Sequence, residues 1–168
     1  VLSVEVLSLG IELIKDMLFD ILTEVLADFG VKVRVIYERN EASVRTLEGM
    51  ETGKGFYVRD GLETDTDGHV IITENGIKYD VDYINGQKTG FFLDQKYNRL
   101  AAAKIAKGKR VLDCFTHTGA FALNCAKAGA QSVCAVDISK QAIELTRQNA
   151  RLNGLESNMS FLCADVFE

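Results

Sequence analysis

The spacing of apolar residues predicts a helix followed by a strand near the start of the chain. Residues 11–29 repeat apolar side chains at helical intervals with acids between them, and Gly30 follows as a C-terminal glycine would. Residues 31–39 then alternate apolar and polar positions, which is typical of a half-buried strand. A loose alternation in residues 1–9 predicts a strand before the helix. The side chains predicted to face the core are Ile14, Leu18, Ile21, Leu22, Val25, Phe29, Val31, Val33, Val35 and Tyr37.

The strongest local signal is a β-hairpin made by residues 69–74 and 77–84. Asn75-Gly76 separates the two runs, and a type I′ turn needs positive φ at both of its central residues. Residues 94–107 follow as a predicted helix, with Asp94 as its N-cap and a glycine after its last turn.

A strand–loop–helix–strand unit in residues 110–137 organises the rest of the chain. Its strands end on carboxylates, Asp113 and Asp137, and the loop before its helix contains Gly119. Continuous apolar runs such as SVCAV indicate parallel strands that are buried on both faces. A helix capped by Ser139 and a strand at residues 159–163 continue the alternation, as in half of a doubly wound nucleotide-binding sheet. The stripe predicted for that helix is Ala142, Leu145, Asn149 and Leu152.

The loop of this unit differs from the dinucleotide-binding fingerprint. That fingerprint is G-x-G-x-x-G, whereas this loop has one glycine in the pattern D-x-F-x-x-T-G. Asp137, at the end of the second strand, can accept hydrogen bonds from two ribose hydroxyls, and Asp113 can hold an ammonium group. S-adenosylmethionine (SAM) offers both groups and no pyrophosphate, so these residues favour SAM as the cofactor. The alternative is a generic βαβ unit in which the two acids only cap a strand and a helix.

Composition excludes several classes of protein. The 168 residues are 47% hydrophobic and 26% charged, and no stretch approaches the roughly 20 apolar residues that span a membrane. We therefore expect no membrane partner. The four cysteines lack C-x-x-C spacing, so we expect no metal site, and they are better explained as free thiols in a cytoplasmic protein.

The charge is unevenly distributed along the chain. The net charge is −5, but residues 86–110 hold seven cations against one carboxylate, Asp94, which is a local charge of +6. A basic segment of this kind can attract the phosphates of a nucleic acid. The alternative, a solvated helix face, accounts for the same residues equally well.

An ordered set of motifs resembles a known family. The motifs are YERNEASVR, ITENG, GQKTGFFLDQ, VLDCF, VDIS and ADVF, and they extend over most of the chain. Together they resemble the SAM-dependent methyltransferases that act on carbon-5 of cytosine in large-subunit ribosomal RNA. Members of that family have a PUA domain, a β-rich middle domain and a Rossmann-like methyltransferase domain.

The resemblance implies a cofactor site, residue by residue. The first methyltransferase motif would lie under the methionine moiety, the acid after the second strand would bind the ribose, and the third motif would lie near the adenine. A lead-in segment before the first strand would close over the cofactor. The residues implied are Phe92, Asp94, Gln95, Arg99, Asp113, Phe115, Thr118, Gly119, Ala120, Asp137, Ile138, Ser139, Asp165, Val166 and Phe167.

The implied fold class is α/β, a partial Rossmann-like parallel sheet preceded by a small α+β domain. Residues 1–85 would form the α+β middle domain with its hairpins, and residues 86–168 the N-terminal part of the methyltransferase domain. The PUA domain would be missing, and the cysteine that attacks the base would follow Glu168. We therefore expect no catalytic residue within the chain.

The implied function is formation of 5-methylcytosine in large-subunit ribosomal RNA, with SAM as cofactor and ribosomal RNA as partner. Cytosine carbon-5 is too weak a nucleophile to take a methyl group unless a thiolate first adds to the ring. A sheet edge left uncovered after the third strand also suggests a homodimer. Two other functions stay open: a nicotinamide-dependent oxidoreductase, against which the missing fingerprint argues, and a noncatalytic RNA-binding protein.

Overall fold

The chain folds into two compact units. The structure, a computed structural model, describes residues 1–167. The first unit comprises Val1–His69 and Tyr83–Gly90, and the second comprises Val70–Asp82 together with the chain from Phe91 onward. This division differs from the boundary predicted after residue 85, because the hairpin groups with the second unit. The reason is burial: Ile77, Tyr79 and Val81 of the hairpin lie in one apolar cluster with Leu123 and Ala150.

The first unit contains a three-stranded sheet with strand order β1-β2-β3. Strand β1 runs parallel to β2, and β3 runs antiparallel to it. The strand predicted in residues 1–9 is therefore confirmed as β1. The elements of this unit are β1 (Leu2–Val4), α1 (Leu9–Glu12), α2 (Lys15–Asp28), β2 (Ile36–Asn40), α3 (Val44–Leu47) and β3 (Gly53–Phe56).

The long helix predicted for residues 11–29 is interrupted, and its predicted inner face was wrong. Helix α1 ends at Glu12 and α2 begins at Lys15. The buried residue of α2 is Phe19, which packs with Val6, Val33 and Ile36. The helix is apolar on more than one side, so spacing alone did not identify its inner face. Residues of the predicted core that are in fact exposed are Ile14, Ile21, Leu22, Val25, Phe29 and Val31.

The second unit holds the predicted hairpin and the predicted parallel sheet. At the hairpin turn Asn75 has φ 54° and Gly76 has φ 72°, which confirms the turn. The other sheet has strand order β6-β7-β8 with all strands parallel, which confirms the α/β fold class. The elements are β4 (His69–Glu74), β5 (Ile77–Asp82), a 3₁₀ turn (Leu93–Gln95), α4 (Lys96–Ala106), β6 (Arg110–Cys114), α5 (Ala120–Lys127), β7 (Ser132–Asp137), α6 (Lys140–Leu152), a 3₁₀ turn (Glu156–Asn158) and β8 (Met159–Cys163).

Helix α6 has a partly polar inner face, which differs from the predicted stripe at all positions except Asn149. Its buried residues are Ile143, Thr146, Asn149 and Ala150, whereas Leu152 of the predicted stripe is exposed. Ser139 caps the helix as predicted, since its hydroxyl accepts a hydrogen bond from the N–H of Ala142 at 3.2 Å. Asp94 does not cap α4, because its carboxylate accepts instead from the side chain of Gln95.

Among residues 1–167, none of the helices has the length and the apolar character that crossing a membrane requires.

Candidate functional site

The carboxyl ends of three parallel strands meet at one edge of the sheet in the second unit. Cys114 of β6 is opposite Val136 of β7, and Asp137 of β7 is opposite Cys163 of β8. The segments that follow these strands therefore lie side by side. In open α/β sheets, ligands bind in the crevice outside this edge. These segments contain the predicted residues Phe115, Thr118, Gly119, Ile138, Ser139, Asp165, Val166 and Phe167, and Ala120 follows as the first residue of α5.

Asp113 points its carboxylate into the loop that follows β6. Its Oδ2 accepts hydrogen bonds from the Thr116 hydroxyl at 2.6 Å and from the N–H of Ala122 at 3.0 Å. Among the described residues, both hydrogen-bond donors to the Asp113 carboxylate therefore bind Oδ2. Burial raises the pKa of the Asp113 carboxyl, with a smaller contribution from the negative charge of Asp137. A carboxylate with a raised pKa is one that a nearby cation would stabilise.

Asp137 bridges two of the loops. Its Oδ2 accepts from the N–H of His117 at 3.0 Å and its Oδ1 from the N–H of Ser139 at 2.9 Å. Its backbone carbonyl accepts from the N–H of Ala164 at 3.1 Å, at the start of the third loop. The residue that was predicted to bind a ribose therefore also fixes the backbone around it.

The loop after β6 has an unusual backbone. Phe115, His117 and Gly119 have φ values of 59°, 53° and 79°, in the left-handed region where most side chains are disfavoured. At Gly119 there is a second constraint, because a Cβ atom there would lie 2.5 Å from Cγ2 of Thr146. The resemblance placed this glycine at the cofactor. The structure gives it a different neighbour, a side chain of α6.

Two buried polar residues of α6 hold the loop in place. The Thr146 hydroxyl donates to the carbonyl of His117 at 2.9 Å, and the Asn149 amide donates to the carbonyl of Thr118 at 3.1 Å. The Asn149 side-chain oxygen also accepts from the N–H of Asp80 at 2.7 Å. Neither role was predicted from the sequence. The available signal was Asn149 itself, a polar residue that the prediction placed in one stripe with Ala142, Leu145 and Leu152.

Aromatic rings connect the first loop with its neighbours. The Phe115 ring lies 5.8 Å from the Phe167 ring, which brings the first and third motifs together. On the other side, the His117 ring lies 5.2 Å from the ring of Phe92 in the lead-in segment. Phe115 is 58% exposed and Ile138 is 68% exposed, so apolar surface is available at the site. In the loop after β8, the Asp165 carboxylate accepts a hydrogen bond from the N–H of Phe167 at 2.9 Å, which stabilises a turn.

His117 has an electrostatic environment that favours its neutral form. Burial lowers the pKa of the imidazole, and the positive charge of Arg99 lowers it further, while Asp137 acts in the opposite direction. A neutral imidazole beside Phe92 contributes an apolar ring and a hydrogen-bonding nitrogen rather than a charge.

Arg99 does not lie open to the site, although it was predicted to bind the cofactor. Its side chain is 3% exposed and its Nη1 is 2.7 Å from Oε1 of Glu74 in a buried ion pair. Its Nη2 donates to the carbonyl of Phe92 at 2.7 Å, and its guanidinium stacks 4.4 Å from the ring of Phe91. Arg99 therefore stabilises the lead-in segment from a buried position, through its hydrogen bond to the Phe92 carbonyl. Asp94 and Gln95 lie at the end of this segment, where the Gln95 side-chain amide donates a hydrogen bond to the Asp94 carboxylate.

Two observations concern metal ligands and thiols in the described part of the chain. No group of three or more His, Cys, Asp or Glu side chains there could hold a metal ion. Burial raises the pKa of Cys125, which is the opposite of what a nucleophilic cysteine needs.

Comparison with known proteins identifies the family. A family model described as S-adenosylmethionine-dependent methyltransferase matches residues 57–168. The chain belongs to this family. The match confirms the predicted enzyme class and the predicted cofactor, and it decides against the nicotinamide-dependent alternative.

Individual relatives agree with this assignment. The chain is 43% identical over 165 residues to the ribosomal RNA large subunit methyltransferase I of Aeromonas hydrophila, an alignment that covers 98% of the chain and 40% of the relative. Its fold is similar to a putative SAM-dependent methyltransferase from Streptococcus mutans, with 26% identity and a TM-score of 0.76 over 98% of the chain and 40% of that protein. A putative methyltransferase complexed with SAH gives the same values. The chain thus spans about 40% of the length of the relatives it matches.

Proposed function

We propose that this chain is the SAM-binding part of an enzyme that forms 5-methylcytosine in large-subunit ribosomal RNA. The observation that carries the proposal is the 43% identity to a large-subunit ribosomal RNA methyltransferase across nearly the whole chain. The site supports it with two carboxylates at the ends of neighbouring parallel strands, on either side of a glycine-containing loop.

The hydrogen-bonding capacity of Asp137 matches a ribose. An ionised carboxylate has about four lone-pair sites on its two oxygens. The N–H groups of His117 and Ser139 take one site on each oxygen, which leaves capacity on both for a further donor. Two adjacent ribose hydroxyls are such donors. Ile138, exposed beside them, would lie against the adenine ring.

Asp113 matches the methionine end of the cofactor. Its two hydrogen bonds from described residues occupy Oδ2, so Oδ1 can receive the ammonium of the methionine moiety. That cation would also stabilise a carboxylate whose ionisation burial disfavours. When bound, SAM supplies a methyl group on a sulfonium.

The remaining predicted contacts form part of the same proposal. Phe115 and Phe167 would supply apolar contacts, and Thr118, Gly119 and Ala120 would present backbone at the start of α5. Asp165 and Val166 would lie near the adenine, and Phe92, Asp94 and Gln95 would close over the cofactor. Arg99 would act indirectly, through Phe92.

The base chemistry needs a thiolate, and we place it outside these 168 residues. Attack on carbon-5 requires prior addition of a nucleophile to the cytosine ring. Cys125 is buried with a raised pKa, and Cys114 lies within strand β6. A cytoplasmic location and a homodimer remain predictions.

Isothermal titration with SAM tests the proposed cofactor site through Asp137→Asn. Hydrogen bonds to a charged acceptor contribute about 1.5–3 kcal/mol each, so weakening two of them should lower affinity about a hundredfold or more. Asp28→Asn is the control, because Asp28 is an exposed carboxylate at the end of α2 in the other unit. Equal SAM affinity in Asp137→Asn and the wild type would refute the assignment. Urea unfolding of both variants shows whether the fold is retained.

A further inference from the structure

Helix α4 and the 3₁₀ turn before it expose apolar side chains beside basic ones. Leu93, Tyr97 and Ile105 recur at intervals of four and eight residues and are 69%, 76% and 77% exposed. Side chains spaced by four residues lie on one side of a helix. Lys96 and Lys104 form the neighbouring row, and both are exposed.

Helix α4 and the residues directly after it contain cations and no carboxylates. From Gln95 to Leu112 the sequence contains no Asp or Glu, although the chain as a whole has a net charge of −5. Beyond the helix, Lys107, Lys109 and Arg110 are exposed and extend the positive charge. Arg99 is the exception among the cations, since it is buried and paired with Glu74. Five of the six cations between Gln95 and Leu112 are therefore accessible.

An exposed aromatic ring lies within the basic surface. The ammonium of Lys96 lies 6.0 Å from the centroid of the Tyr97 ring. Tyr97 is 76% exposed, so one face of its ring can take a stacking partner. Aromatic side chains interleaved with cations are the combination that binds single-stranded nucleic acid: bases stack on the rings and phosphates pair with the cations.

The position of the helix connects this surface with the cofactor site. Helix α4 follows directly on the lead-in segment, and Phe92 of that segment contacts His117 of the loop after β6. A strand of RNA lying along α4 would therefore reach the edge of the sheet where SAM is proposed to bind.

We propose that the exposed face of α4, made of Lys96, Tyr97 and Lys104, together with Lys107 directly after the helix, binds single-stranded RNA of the substrate. Tyr97 stacks on a base, and the lysines pair with successive phosphates. The proposal rests on the proposed function, since it assigns a surface to the RNA substrate of the same site. A protein partner would also cover Leu93 and Ile105, but the absence of carboxylates over eighteen residues favours a polyanion.

Fluorescence anisotropy with a labelled single-stranded RNA tests the surface in a salt series. The oligonucleotide should exceed about 16 nucleotides and be unmodified. Tyr97→Ala should weaken RNA binding about 5- to 150-fold, the equivalent of one lost base stack. Tyr97→Phe keeps the aromatic ring and should bind RNA as tightly as the wild type. The double charge reversal Lys104→Glu/Lys107→Glu should reduce the slope of log K against log salt by about 1.4 for two lost phosphate contacts. Lys78→Glu, an exposed lysine on β5, is the control for a charge reversal elsewhere in the same unit.

SAM affinity, measured on the same proteins by titration, separates this proposal from the proposed function. Variants that bind SAM normally but lose RNA affinity support the surface. If the wild type binds RNA and all the α4 variants bind it equally well, the proposed RNA surface is wrong. It is also wrong if the wild type binds SAM but no RNA. A wild type that fails to bind SAM refutes the proposed function, and the RNA measurements then decide the surface separately. If the variants change the sedimentation coefficient and leave RNA affinity unchanged, the face is a protein-docking surface and the RNA proposal is wrong.

Discussion

Replacing Gly119 by alanine tests what holds the glycine loop in shape. The residue has φ 79°, and a Cβ atom there would lie 2.5 Å from Cγ2 and 3.2 Å from both Cβ and Oγ1 of Thr146. Real Cβ atoms essentially never approach a heavy atom to within 2.5 Å, so either the loop or α6 must move. Thr146 is 0% exposed and bonded to the His117 carbonyl, so its side chain has no alternative position in open solvent.

The magnitude follows from two separate effects. A left-handed backbone costs an alanine about 1–2 kcal/mol. Overpacking a close-packed region costs a further 1–3 kcal/mol or so. Gly119→Ala should therefore lower the free energy of unfolding by about 2–5 kcal/mol. It should also weaken SAM binding, since residues 115–119 would shift.

Thr146→Ser provides a test of the clash itself. Serine lacks Cγ2 but keeps Oγ1, which donates to the carbonyls of His117 and Ala142 at 2.9 Å. The single change should cost about 1 kcal/mol for one buried methyl group. In the double variant the 2.5 Å contact with Cγ2 is removed, whereas the 3.2 Å contacts with Cβ and Oγ1 and the backbone strain remain. The two changes should therefore be non-additive by about 1–3 kcal/mol in the favourable direction.

Urea unfolding of the four proteins measures this coupling, and SAM titration of the same proteins measures the effect on the site. Additive destabilisation would show that Thr146 does not restrict residue 119. A Gly119→Ala protein as stable as the wild type would refute the reasoning altogether. Gly154→Ala is a useful comparison, because Gly154 has φ 66° but a Cβ atom added there would meet nothing within 4 Å, so it isolates the cost of the backbone.

Three further changes address the contacts around the site. Glu74→Gln removes one charge of a buried pair and should cost about 3–5 kcal/mol in urea unfolding, whereas Glu74→Leu/Arg99→Met should cost less because no charge is left unpaired. Asn149→Leu removes the hydrogen bonds to Thr118 and Asp80 and should cost about 2–6 kcal/mol, with weaker SAM binding; unchanged stability would contradict the role of Asn149. Because the pKa of His117 is lowered in the folded state, the unfolded state binds a proton at a higher pH than the folded state does. The free energy of unfolding therefore decreases as the pH falls below about 6.5. His117→Asn, which tolerates positive φ, should flatten that part of the stability curve, and an unchanged slope would exclude His117 as its source.

Local chemistry made the second unit predictable. Asn75-Gly76 forms the predicted turn, Ser139 caps the helix that begins beside it, and the apolar strands that carry Asp113 and Asp137 form the predicted parallel sheet. Each of these features depends on residues within a few positions of one another. The sequence therefore contained enough information to place them without any knowledge of tertiary contacts.

Features that depend on distant residues were not predictable in the same way. Helix α2 is apolar on more than one side, so choosing Phe19 as its inner residue requires knowledge of Val33 and Ile36. Arg99 was placed at the cofactor because of its motif, yet its charge is matched by Glu74, 25 positions earlier in the chain. A cation in a motif does not reveal its partner. A buried cation such as Arg99 pairs with another side chain, whereas an accessible cation can pair with a ligand.

The glycine loop shows why a motif alone describes only part of a binding site. Its pattern, D-x-F-x-x-T-G, contains the carboxylate and the glycine but none of the residues of α6 that fix its shape. Thr146 follows His117 by 29 positions and Asn149 follows Thr118 by 31, and both side chains bond to loop carbonyls from a buried position. Gly119 is needed because Thr146 lies against it, so loop and helix constrain each other. The unit that specifies the site is therefore the loop together with the inward polar face of the second helix after it.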